Sequence, residues 1–429
     1  MDNERLRRVR KTTRLHLAME AEETLQRIAD FPDKPAAMQY FYSLFRDTYN
    51  GNGTPPLAGD KQIVATMCMQ IPQELILAAG AYPLRLCSGA NAFDQIGAEF
   101  MPSKSCPVVK ATIGMLHVNQ TLWGNSLRTI VIPTTCDQKK KASELLGDMG
   151  YPIYCLEMPS SKDSGLARFY WQEAVKQFAL DLQKLTGNRI TSKKVKAAIA
   201  KITDAAGLFR KLHALRLNKV PLILGTDLFL VNNAYFFDDI DRWRQAVATL
   251  ITELEKRRES KIRITNRQAP RLLFTGSPPI FPNYKVPILV EQAGGIIVAD
   301  ESCSSTRLLS DSVAYDEANL NDMVPAIADR YLKPSTCPCL TPNRDRLRKL
   351  VTMAGEAGAD GVIYQALSGC LPYEMEQTLV RQTLAEHGIP MLYIETDYSP
   401  EDLGQLSTRV EAFIESIKAR NRTKRENEK

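Results

Sequence analysis

The chain has 429 residues, 44% apolar and 24% charged, enough for two or three domains with proper cores and too apolar for a disordered chain. The nine cysteines show no short-spaced disulfide framework, and no apolar h-region or long apolar run marks a secretory signal or membrane helix, so a reducing cytoplasm is expected. The net charge of +6 gathers at the ends, where Arg5, Arg7, Arg8, Arg10, Lys11 and Arg14, and then Lys418, Arg420, Arg422, Lys424 and Arg425, read as solvated helix faces or frayed tails; no interleaved aromatics mark a nucleic-acid surface.

Residues 15–50 have helical spacing, and Asn50, Gly51, Asn52, Gly53 and the following Thr-Pro-Pro form a loop. Strands are then expected at 63–67, 81–86, 128–135 and 151–156, with helical segments at 71–79 and 137–149 between them. That alternation predicts a doubly wound parallel sheet. Residues 166–185, 192–217 and 241–258 carry long amphipathic patterns with few strand signals, giving a helical insertion or linking layer to which no chemistry is assigned. Strands return at 271–277, 295–300, 361–367 and 390–395, interleaved with helices at 287–292, 323–332, 343–356, 373–387 and 402–418. The expected architecture is α/β: a helical N-terminal segment (1–56), a first α/β domain (57–163), the helical insertion (164–265) and a second α/β domain (266–429).

The cysteines fall on this layout in a pattern. Cys87 follows the second strand at a Ser-Gly turn, Cys106 precedes Pro107 at the expected start of a helix, and Cys136 closes the third strand. A thiol at a helix N-terminus feels the positive end of the dipole and shifts toward the thiolate that metals bind. Cys303, then Cys337 or Cys339 around Pro338, and Cys370 repeat the order in the second half. There are 18 and 29 residues between the first three cysteines, 33 between Cys303 and Cys337, and 30 between Cys339 and Cys370. Such intervals, near one βα unit, place ligands on neighbouring loops at the carboxyl ends of parallel strands, unlike the tight pairs of zinc ribbons. Two three-cysteine sets, one per half, would face each other. Cys68 and Cys155, inside expected strands, read as small buried apolar residues. Zinc is the weaker alternative, because the sets lack a fourth ligand and His16, His117, His213 and His387 lie outside the cysteine loops. Iron–sulfur clusters suit all-thiolate ligation, and nucleotide binding is disfavoured by the lack of a Walker A or Gly-x-Gly-x-x-Gly sequence.

Gly80-Ala81-Tyr82-Pro83, Ser105-Cys106-Pro107-Val108-Val109-Lys110, Thr134-Thr135-Cys136-Asp137, the stretch from Gly361 through Cys370, and Gly388-Ile389-Pro390-Met391 with the following Leu-Tyr-Ile-Glu resemble the 2-hydroxyacyl-CoA dehydratase component D family over roughly residues 60–420. The resemblance implies an iron–sulfur enzyme that receives electrons from a separate ATP-hydrolysing reductase. It implies Cys106, Cys136 and Cys370 as the common ligands of one [4Fe-4S] cubane. The additional Cys87, Cys303 and one of Cys337 or Cys339 make the chain similar to the double-cubane branch, where six cysteines hold two sulfide-bridged cubanes in a homodimeric low-potential reductase of small molecules. The alternative is a dehydratase subunit with one cubane. Glu374, Glu395 and Lys110 are candidate proton donors.

Overall fold

The computed structural model describes residues 3–51, 61–119, 126–264, 268–309 and 311–427. Eight strands form two four-stranded sheets. The first contains β1 (Ile63–Thr66), β2 (Tyr82–Arg85), β3 (Leu127–Pro133) and β4 (Ile153–Leu156); the second contains β5 (Arg271–Gly276), β6 (Ile296–Glu301), β7 (Gly361–Leu367) and β8 (Met391–Thr396). The strand orders are β2-β1-β3-β4 and β6-β5-β7-β8, with every pairing parallel. The two sheets therefore share one topology, and in each the strand order reverses beside the first strand, the place where such folds leave a crevice at the carboxyl ends. The expected α/β class with two parallel sheets is what the chain adopts.

The sequence forms these strands for a simple reason. β1, β6 and β7 are buried along their whole length and β5 from Leu272 on, so helices cover both faces and the strands read as largely continuous apolar or β-branched runs. β4 and β8 are sheet edges and less enclosed. The N-terminal pattern resolves into two helices, Asn3–Ala29 and Met38–Gly51, broken at a turn containing Asp33 at φ 58° and Pro35. The expected loop at 50–56 lies, from residue 52, outside the described residues, as do the positions on either side of the first expected domain boundary and next to the third.

Between the sheets in sequence lie the helices Gly165–Thr186, Ser192–Arg216, Gly225–Ala234 and Ile240–Glu259. Gly225–Ala234 has no sequence periodicity to betray it, because every one of its residues is buried. It packs against β6: a Cβ on Gly225 would lie 2.5 Å from Ile297 Cβ. One contiguous apolar cluster, from Leu17, Phe41 and Phe45 through Ile130 and Trp243 to Phe274, Ile363 and Ile414, joins the N-terminal helices, both sheets and this helical layer. Among the described residues, no helix is long and apolar enough to cross a membrane.

Candidate metal centre

Three cysteines occupy the N-cap positions of helices: Cys106 before Pro107–Val118, Cys136 before Asp137–Asp148 and Cys370 before Leu371–Glu386. In each case a strand or loop ends, a helix begins, and the cap side chain makes no capping hydrogen bond, which leaves the thiol free for other partners. The thiols of Cys106 and Cys370, from different halves, lie within reach of each other; this contact, with the nearby backbone N–H groups at the start of its helix, holds Cys106 below the usual thiol range against burial and pushes Cys370 well above it. Burial raises Cys136, countered in part by Lys139.

Gln138 ties these three loops together. Its Oε1 accepts from the Cys106 N–H at 2.7 Å, and its Nε2 donates to the Gly369 carbonyl at 2.6 Å. Gly369 has φ 84°, and a Cβ there would stand 2.0 Å from the Lys104 carbonyl oxygen, so only glycine lets the Cys370 loop lie against the Cys106 loop. The structure thus groups Cys106, Cys136 and Cys370 across the two halves. One self-contained set per half is not the arrangement found: Cys106 of the first half and Cys370 of the second stand side by side, joined by Gln138.

The remaining rim cysteines lie close by. Arg85, the last residue of β2, donates from Nε to Cys87 Sγ at 3.4 Å, from Nη1 to the Cys303 carbonyl at 3.1 Å, and has Nη2 4.0 Å from Cys303 Sγ. Cys337 and Cys339 hydrogen-bond to each other, which with Arg307 brings Cys337 down to about 6 despite burial and pushes Cys339 up. Arg307 also lies within electrostatic reach of Cys303. Lys139 links the groups: burial opposes its charge, yet the neighbouring thiols of Cys68, Cys136, Cys339 and Cys87 raise its pKa well above the ordinary value. Arg85 and Lys139 enter no ion pair with a carboxylate among the described residues; Lys139 Nζ donates only to Thr135 Oγ1 at 3.3 Å.

Five of the cysteines, Cys106, Cys136, Cys337, Cys339 and Cys370, open onto a cleft of about 830 Å³. Its wall includes Met158, Leu347, Leu371, Met375 and Leu379, the last three forming an exposed stripe along one helix, and its charged lining includes Lys140, Arg344 and Glu376. That volume lies within the range of small-molecule sites.

The loop bearing Cys303 is braced from below. Arg216 forms an ion pair with Asp300 at 2.5 Å, Asn232 donates to Ser305 Oγ at 2.6 Å, and the fully buried Glu301 pairs with Arg346 and, at 3.1 Å, with Arg307. Arg346 reaches on to Glu376 at 2.7 Å. The helical layer, to which the sequence assigned no chemistry, therefore supports a candidate ligand loop. Apart from Glu301 and Arg307, these partners are 30 to 84 residues apart in sequence, so no local pattern shows them; a buried Asp-Glu pair ending a strand, just before Ser-Cys-Ser-Ser, is the one available signal.

Two cysteines differ from expectation. β1 ends at Thr66, which puts Cys68 on the same rim, buried and within electrostatic reach of Arg85, Lys139 and Cys303. Cys155 is exposed, on the edge strand β4. All nine cysteines are free. The candidate proton donors do not line the cleft: Lys110 pairs with Asp94 at 3.2 Å, Glu374 accepts from the Gly369 N–H, and Glu395 meets Ser368 and Tyr393. Neither do the four histidines.

Among the described residues no three His, Cys, Asp or Glu side chains converge as they would on a single ion, which would draw its thiolates to about 2.3 Å. The thiols come from several loops, as the ligands of a multinuclear group do, and Arg85 and Lys139 stand beside them without a carboxylate partner among the described residues. The donor set fits an iron–sulfur group.

Fold and site together define a two-sheet α/β protein with a thiol-lined cleft where the sheets meet. The chain belongs to the 2-hydroxyglutaryl-CoA dehydratase D-component family, whose model matches residues 68–417. It is 31% identical over 358 residues to the putative dehydratase subunit YjiM of Escherichia coli K12, covering 83% of this chain and 91% of that protein. It is 24% identical to the beta subunit of (R)-2-hydroxyglutaryl-CoA dehydratase from Acidaminococcus fermentans (84% and 93% covered) and 23% identical to one of the subunits of benzoyl-CoA reductase from Thauera aromatica (83% and 91% covered). Its relatives are thus subunits of dehydratases and of a reductase.

Proposed function

We propose that the chain is a cytoplasmic iron–sulfur reductase of small molecules, with two bridged cubanes held by Cys87, Cys106, Cys136, Cys303, Cys337 and Cys370. The observation that carries this reading is the doubling of the rim. Each half presents a thiol after its second strand, one before a helix and one after its third strand; four of these six line one cleft, and Arg85 bridges the remaining two, Cys87 and Cys303. Cys337 is preferred to Cys339 because it shares Arg307 with Cys303. Such a group, when bound, supplies stored low-potential electrons. The chain's own residues hold the thiols at fixed places through Gln138, Arg85 and the Glu301 network, while the apolar wall of Leu371, Met375 and Leu379 shelters one side of the cleft. A separate ATP-hydrolysing iron–sulfur reductase as electron donor, and a homodimeric assembly, complete the reading.

A second reading has its own support. Gln138 stitches together only Cys106, Cys136 and Cys370, the set a single-cubane 2-hydroxyacyl-CoA dehydratase subunit needs, and the relative from Acidaminococcus fermentans bears a name of that activity. Iron and acid-labile sulfide in anaerobically purified protein separate the two: about eight irons per chain for the double cluster, about four for the single one. A folded, active, iron-free protein contradicts both. Sedimentation at micromolar concentration tests the assembly, a monomer being the contrary result.

A further inference from the structure

The last residues of β2 and β6 occupy equivalent places: Arg85 pairs with Thr66 of β1, and Glu301 pairs with Thr275 of β5. Each stands two residues before a rim cysteine, Cys87 or Cys303. The two halves therefore put opposite charges at one topological position. Glu301 is neutralised by Arg346 and Arg307. Arg85 is 7% exposed and has no carboxylate; its neighbours are Cys87 Sγ, the Cys303 carbonyl and Sγ, and the face of Phe236, whose ring centre lies 4.1 Å from the guanidinium carbon. A guanidinium taken out of water requires a counter-charge, and the groups in reach that can carry one are the thiols of Cys87, Cys303 and Cys68 and whatever the first two hold.

We propose that Arg85 is a positioning residue for the two-cubane group: its rigid fork fastens Cys87 of the first half to Cys303 of the second, and its fixed charge offsets the negative charge of the group those thiols hold. This rests on the double-cluster reading. The fork matters because Nε faces one sulfur while the two terminal nitrogens face the other loop, a geometry that lysine cannot reproduce. Hydrogen bonds and charge at cluster sulfurs set reduction potential, and partners that orient ligands typically change metal affinity about 10- to 100-fold. Phe236 covers the guanidinium and keeps it facing the thiols.

The test uses full-length protein purified anaerobically, with R85K and R85Q beside the wild type. Iron retention is read by release to a chelator, and the midpoint potential by a redox titration followed by electron paramagnetic resonance. Both variants are expected to release iron more readily, by about 10-fold, and R85Q alone should shift the midpoint to lower potential, since it loses the charge. Wild-type retention in both variants, or an unshifted midpoint in R85Q, overturns the proposal. Should circular dichroism show R85Q unfolded, R85K decides alone, and wild-type retention there is the contrary result. Failure of the underlying reading looks different: the unsubstituted protein itself then carries one cubane or none, and the role of Arg85 falls with it.

Discussion

The two halves place their cysteines by the same topology but hold them by different means. In the second half, the Cys303 loop rests on a closed set of ion pairs, Asp300 with Arg216 and Glu301 with Arg346 and Arg307, all deeply buried. In the first half, the corresponding loop is bordered by Arg85 and Lys139, cations facing thiols with no carboxylate to answer them among the described residues. Topology alone positions a candidate ligand; rigidity is supplied separately, in one half by the protein's own charges and in the other, under the proposed function, by the anionic group its thiols would hold. The second rim should therefore stay ordered without iron, and the first should not.

The largest effect expected from breaking this contrast is at Arg346. Replacing it by methionine leaves Glu301 with one cationic partner, Arg307, and Glu376 with none of its buried contact, and removal of one member of such a network costs about 3–5 kcal/mol. Thermal unfolding of R346M should show the loss, and a wild-type midpoint would contradict a self-supporting second half. His213 gives the next effect. Burial, with Arg216 adding to it and Asp300 opposing, lowers its pKa to about 4, while its side chain meets Asn232 at 3.3 Å. The unfolded chain, with histidine near 6.5, then binds the extra proton first; the stability is present above about pH 6.5 and drains away as pH falls toward 4, by at most about 3 kcal/mol. The difference in melting temperature between wild type and H213Q should shrink over that interval; a constant difference would show that the histidine does not titrate this way.

Gln138→Ala should cost about 2 kcal/mol, because the Cys106 N–H and Gly369 carbonyl both lose their partner. Denaturant midpoints measure it, and no change would mean the stitch between halves is slack. Removing iron with a chelator gives a gentler contrast: hydrogen exchange should rise over residues 85–90 and 135–140 while residues 300–307 remain protected. Equal rises on both rims would erase the distinction. Cys155→Ser, at the exposed edge, should lie within about 0.5 kcal/mol of wild type and leave iron unchanged.

Much of this arrangement can be read from the chain. All eight strands are visible as buried apolar runs between glycine and proline turns, and parallel strands at that spacing bring their following residues to one rim. Cys106 as a cap is legible from Pro107 alone. What escapes is long-range or non-periodic. Nothing local joins Cys106 to Cys370, Gln138 to Gly369, or Arg85 to Cys303, 218 residues away. Strand burial also differs between the two edges of each sheet, β2 and β6 being enclosed and β4 and β8 less so, and Cys155 lies exposed on β4 although it is on an expected strand. The Leu371, Met375 and Leu379 stripe likewise reads as core from spacing and yet lies open beside the cleft.

The central claim is that both rims serve one double cluster, and iron content in single cysteine variants tests it most directly. A hydroxyl is a poor substitute for a thiolate toward iron. In anaerobically prepared protein, Cys87→Ser and Cys303→Ser are each predicted to lose about half of roughly eight irons per chain, or the whole group. Iron unchanged from wild type in both variants, with both still folded, would contradict the account and leave a single cubane on Cys106, Cys136 and Cys370.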